Sequence, residues 1–118
     1  MSSIDTLEAL RTRVAAFAAE RDWEQFHSPK NLAMALAGET GELLEHFQWL
    51  TEAESSALPA ATRDEVALEI ADVLLFLVRL ADRLGIDPLE AAARKLELNA
   101  RKYPVDKARG RATKYDRL

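Results

Sequence analysis

The sequence predicts an all-α fold: four main helices packed as an antiparallel bundle. Three observations lead there. Ala, Leu, Glu and Arg dominate the chain, while Gly and Pro number four each in 118 residues, a composition that favours helix over sheet. Apolar residues recur at three- and four-residue steps. Two cap-plus-proline pairs, Ser28-Pro29 and Asp87-Pro88, mark helix starts. No strand pair and no internal repeat is legible.

The first helix is capped by Asp5 or Thr6. Its stripe of Leu7, Leu10, Val14, Phe17 and Ala18 runs to about Arg21. Residues 21–29 then lose the period and gather Trp23, Glu24, Gln25, Phe26 and His27. Two readings are compatible there. The aromatics plug the core, or they stack on a base while neighbouring polar groups read its edge. Helix two spans Pro29 to about Trp49, with Leu32, Ala35, Leu36, Leu43 and Phe47 on its apolar side. Gly38 and Gly41 cost about 1 kcal/mol each inside a helix, which suggests that something packs closely beside them.

Residues 51–62 read as a loop with a short helical turn. Helix three starts between 60 and 63 and ends near Leu84, with Gly85 as its left-handed stop. Helix four follows Asp87-Pro88 to about Lys102, aligning Lys95, Asn99 and Lys102 on one side. Tyr103-Pro104 ends it. Residues 1–104 thus form one helical domain, and residues 105–118 a basic tail, extended or mobile by itself.

The centre of the chain is residues 66–78. Eleven of the thirteen are apolar and cover every face of a helix, as in a helix buried on most sides. Yet Glu69 and Asp72 stand in its middle, three apart, on one face. Ionised carboxylates in apolar surroundings need a compensating cation. No Lys or Arg lies between Asp64 and Val78. Glu39 and Glu42 in helix two repeat the three-residue spacing. Four inward carboxylates from two packed helices form a hard, all-oxygen site suited to Mg²⁺ or Mn²⁺. The bland alternative is salt bridging to Arg79 or Lys95, which satisfies one acid more readily than four.

Other chemistries fit less well. The chain has no Cys, so thiolate sites and disulfides are excluded and a reducing cytoplasm is compatible. The N-terminus lacks the basic and apolar regions of a secretory signal. No apolar run is long enough to span a bilayer, so no membrane partner is expected. The first 100 residues carry nine Lys/Arg against eighteen Asp/Glu, and residues 101–118 carry seven against two. An acidic body disfavours binding to a nucleic acid polymer, whereas the basic tail suits a small polyanion. Paired Glu-x-x-His motifs, H-x-x-x-H zinc spacing and phosphate-cradling glycine loops are missing.

These pieces together resemble the MazG-like, all-α nucleoside triphosphate pyrophosphohydrolases, closest to the dCTP pyrophosphatase branch. The likeness is carried by residues 17–27, by residues 29–49 with Glu39-Thr40-Gly41-Glu42, and by Glu69-Ile70-Ala71-Asp72-Val73-Leu74. Lys95, Asn99, Lys102-Tyr103-Pro104 and Lys114-Tyr115 extend it to about residues 7–116. The resemblance implies that Glu39, Glu42, Glu69 and Asp72 bind Mg²⁺ and serve catalysis. It implies that Trp23, Glu24, Gln25, Phe26, His27 and Trp49 belong to the nucleotide pocket, and that Lys95 and Asn99 face the substrate. Phe76 falls at a pocket position where dCTP enzymes carry Tyr, and Val14 where they carry His. Both departures remove a hydrogen-bonding group near the sugar or base, which leaves strict dCTP preference open.

The implied reaction is hydrolysis between the α- and β-phosphates of dCTP or a modified dCTP, releasing a monophosphate and pyrophosphate. Glu39 or Glu42 would orient the water or take its proton. A small chain hardly covers a helix that is apolar all round, so a homodimer, or a homotetramer built as a dimer of dimers, is expected. The rivals are a non-catalytic helical interaction protein, whose acids would be paired with Arg, and a nucleotide sensor that binds without hydrolysis.

Overall fold

A computed structural model describes residues 3–118. Among them the ordered elements are all helical: α1 (Leu7–Glu20), α2 (Pro29–Glu45), a short α3 (Glu52–Ser55), α4 (Ala60–Arg83), α5 (Pro88–Lys102) and a short α6 (Val105–Ala108), with single 3-10 turns at Glu24–Phe26 and Tyr115–Arg117. The four main helices match those expected from the sequence. The chain divides into two compact units, residues 1–85 and 86–118, each described by itself.

In the first unit α4 is the central element, packing against both α2 and α1. Val66, Val78 and Ala81 of α4 are buried, together with Ala18 of α1 and Leu32 of α2. The helix starts follow local chemistry. Thr6 Oγ1 accepts from Ala9 N–H, Ser28 Oγ accepts from Asn31 N–H, and Thr51 with Glu54 closes a capping box on α3. Gly85, at φ 67°, terminates α4 as expected.

The stop of α1 is less obvious. Asp22 adopts φ 55°, taking the left-handed place usually given to Gly. Its N–H donates to Ala19 O at 3.1 Å, and Trp23 N–H donates to Ala18 O at 2.9 Å. This is the paired bonding of a Schellman stop. It turns the chain sharply and delivers Trp23 beside Phe17, ring centroids 5.7 Å apart at 70°.

Two expectations are corrected. Helix two ends at Glu45, not Trp49, because His46 and Phe47 bond back three residues, to Leu43 and Leu44, and tighten the last turn. Trp49 is left 86% exposed. Nothing packs on Gly38 or Gly41: a Cβ at either meets no atom within 4 Å. As expected of a small chain, α4 is not covered on all sides. Leu68 is 70% exposed, and Ile70 and Leu77 are also open, since α1 and α2 cover only part of its circumference.

In the second unit Asp87 Oδ1 accepts from Leu89 and Glu90 N–H and starts α5. The tail is more ordered than its composition suggests. After α6 it brings Tyr115 edge-on to Tyr103, centroids 6.1 Å apart, and under the Lys102 ammonium at 4.8 Å.

Candidate active site

The packing of α2 against α4 places Glu39, Glu69 and Asp72 together. One carboxylate oxygen from each lies within 4.8 Å of the other two, and all three side chains are half-buried. The heptad arithmetic explains the pairing: Glu69 and Asp72 share a face of α4, and that face meets the Glu39 face of α2. Glu42 is more exposed, yet it lies within hydrogen-bond reach of both Glu39 and Glu69. No Arg or Lys pairs with these four acids among the ion pairs of the described residues. His46 pairs with Glu65 at 3.9 Å instead.

Two carboxylate oxygens, Glu39 Oε2 and Glu69 Oε2, are buried without a hydrogen-bond partner. Burial pushes the Glu39 carboxyl up to about 7. The hydrogen bond with Glu42 and the charges of Glu42, Asp72 and Glu69 add to that rise. Glu69 is also raised, first by burial and then by Glu42 and Asp72. Crowded, part-dehydrated carboxylates resist ionisation, and a cation between them removes the resistance. Oxygens sharing one Mg²⁺ at about 2.1 Å sit roughly 3–4 Å apart in an octahedron. Carboxylate oxygens from three residues, all within 4.8 Å of one another, would suit such an ion.

A cavity of about 520 Å³ opens beside the cluster, and Asp72 lines it. Its walls are largely apolar, including Val14, Phe17, Leu75 and Phe76, with Trp23, His27 and Arg79 as polar-tipped members. Of the sequence-derived pocket residues, Trp23, His27 and Phe76 are brought to this cavity. Glu24, Gln25, Phe26 and Trp49 are not among its lining residues. Gln25 turns back to bond Asp22 O and Oδ2. Lys95 and Asn99 belong to the second unit.

Sequence reasoning missed the polar chain that braces the cavity. Arg79 is only 4% exposed. Its Nε donates to His27 Nδ1 at 3.1 Å, and its Nη1 donates to Asp82 Oδ2 at 3.2 Å. Asp82 Oδ1 accepts from Arg11 Nη1 at 3.1 Å, and Arg11 is held in turn by Glu8. Arg83 Nε donates to His27 O at 3.1 Å. Burial, then the charges of Arg79 and Arg83, lower the His27 pKa. His27 is thus held neutral, with Nδ1 accepting and the proton on Nε2. The available signal was periodic: Asp72, Phe76 and Arg79 fall at i, i+4 and i+7 on α4.

Residues 35–118 match the MazG-like family. The chain belongs to the MazG-like family. It is 49% identical over 119 residues to dCTP pyrophosphatase 1 of Bos taurus, covering 99% of this chain and 70% of the relative. It is also 49% identical over 115 residues to dCTP pyrophosphatase 1 of Homo sapiens, covering 96% and 68%. A crystal structure of a pyrophosphatase from Archaeoglobus fulgidus superposes with a TM-score of 0.80 at 41% identity, covering 88% of this chain and 97% of that one.

Proposed function

We propose that this protein is a divalent-metal-dependent pyrophosphohydrolase. It would cleave a nucleoside triphosphate, with dCTP or a modified dCTP as the leading candidate, to the monophosphate and pyrophosphate. That it is a nucleotide pyrophosphatase follows from its dCTP pyrophosphatase relatives and its pyrophosphatase structural neighbour. The observation that carries the metal dependence is the pair of orphaned carboxylate oxygens, Glu39 Oε2 and Glu69 Oε2, in a cluster with no cationic side chain. Oxygen-only donors favour Mg²⁺, with Mn²⁺ also accommodated.

Glu39, Glu42, Glu69 and Asp72 are assigned as the metal-holding and catalytic set. When bound there, a divalent ion neutralises triphosphate charge and acidifies water. Glu39 or Glu42, at the edge of the set, orients the attacking water or takes its proton. Trp23, His27 and Phe76 form the wall against which the nucleoside rests, and the apolar lining excludes water from it. Glu24, Gln25, Phe26, Trp49, Lys95 and Asn99 are assigned to substrate by family resemblance alone.

The remaining assignments follow the same reading. Residues 1–104 form the catalytic domain, arranged as an antiparallel bundle, and residues 105–118 its basic tail. The exposed Leu68, Ile70 and Leu77 favour a homodimer or homotetramer that covers α4. Among the described residues no helix is long and apolar enough to cross a membrane, and a cytoplasmic setting suits a chain without Cys. The test is product identification after incubation with dNTPs and Mg²⁺. A monophosphate with pyrophosphate is expected; a diphosphate with orthophosphate eliminates the bond assignment. Light scattering at micromolar concentration should give a dimer or larger, and a monomer rejects the assembly.

A further inference from the structure

We infer that Arg79 is a specificity-determining residue, whose free guanidinium nitrogen donates to a carbonyl oxygen on the nucleobase. The inference rests on the pyrophosphohydrolase reading above and deepens it. Arg79 lines the cavity. Two of its three nitrogens are committed, Nε to His27 Nδ1 and Nη1 to Asp82 Oδ2. The third, Nη2, is buried and has no partner. A guanidinium only donates, so whatever completes it is an acceptor.

Position along α4 identifies that acceptor. Asp72 and Arg79 share a face and stand seven residues apart, about 10 Å along the helix. With a divalent ion held where Asp72 joins Glu39 and Glu69, the triphosphate would be placed at the acidic end. The far end of the same nucleotide, its base, then reaches the Arg79 end. Val14, Leu75 and Phe76 supply apolar wall to the same cavity, whose other charged lining residues besides Asp72 and Arg79 are Arg13 and Glu20. Clamped at two points, the guanidinium is already oriented, so the ligand bond costs little side-chain entropy.

The experiment compares substrates that differ in one carbonyl. kcat/KM is measured with Mg²⁺ for dCTP against 2-thio-dCTP and for dTTP against 4-thio-dTTP, using the wild-type protein and Arg79→Met. A thiocarbonyl accepts a hydrogen bond poorly. The wild type should lose about tenfold or more on at least one thio substrate, the size of a bond to a charged donor. Arg79→Met should treat the matching oxo and thio substrates within about twofold of each other. Equal turnover of oxo and thio substrates by the wild type overturns the inference without need of any variant. A thio penalty that persists in Arg79→Met also overturns it, because sulfur bulk then explains the loss. Wild-type hydrolysis of no nucleotide overturns the pyrophosphohydrolase reading, and this inference with it.

Discussion

The two ends of one face of α4 are built on opposite terms. At the Glu69–Asp72 end, carboxylates converge with Glu39 and no cation answers them. At the Arg79 end, a buried cation is answered almost completely by His27 and Asp82, and Asp82 is itself shared with Arg11. The first end is an unfinished electrostatic problem that a bound ion would complete. The second is a finished brace with one donor to spare. The difference teaches where function and stability separate. Unpaired buried charge costs folding free energy and is kept where a ligand repays it. Paired buried charge orients what it touches, here the loop that carries Trp23 and His27.

Breaking the acidic end should abolish activity and leave the fold intact. Glu69→Ala is expected to lower kcat by more than about a thousandfold, because an incomplete ligand set loses both affinity and charge stabilisation. Pyrophosphate release measures this. Thermal melting of the metal-free variant should match or exceed that of the wild type, since one repelling carboxylate is gone. Substantial residual turnover would remove Glu69 from the metal site. Chelation should mimic the substitution reversibly: EDTA stops turnover, and added Mg²⁺ or Mn²⁺ restores it and raises Tm.

Breaking the braced end should do the reverse. Asp82→Ala leaves Arg79 buried with a second unsatisfied nitrogen and frees Arg11. The expected cost is about 1–3 kcal/mol, a fall in Tm of several degrees for a domain of this size. Arg79→Met should cost less than Asp82→Ala, because it removes the buried charge instead of stranding it. Denaturant melts rank the two directly. A larger loss for Arg79→Met would mean that the guanidinium stabilises the fold in its own right.

The same contrast explains what was legible in the sequence. Helix starts were readable because caps are local: Ser28-Pro29 and Asp87-Pro88 act within four residues. The acid pairs were readable because carboxylates three apart amid apolar neighbours violate an ordinary pattern. The Arg79 brace was not, since its partners lie 52 and 71 residues from the residues they bind. Arg11, Asp82 and Arg83 look like routine surface charges until α1 and the 21–29 loop dock on α4. The end of α1 was hidden differently, because Asp22 fills a position where Gly is the expected sign. The incomplete cover of α4 was readable, because a chain this small has too few other helices to surround one that is apolar on every face.

The smallest expected effect is a pH dependence confined to the acidic end. The Glu39 carboxyl has a folded pKa of about 7, above the ordinary 4.5, through burial and then its acidic neighbours. The folded state therefore binds this proton more tightly than the unfolded chain. Its contribution to stability is complete below about 4.5 and is lost as pH rises through 7. The metal-free protein should thus lose a few degrees of Tm between those values, and Glu39→Gln should flatten that fall. Saturating Mg²⁺ should reverse the slope, since the ion binds the ionised cluster and competes with the proton. A braced pair such as Arg79–Asp82 predicts no comparable reversal, so a metal-dependent change of sign in the Tm–pH slope locates the ion at the acids. If the slope is the same with and without Mg²⁺, the ion does not share its site with that proton.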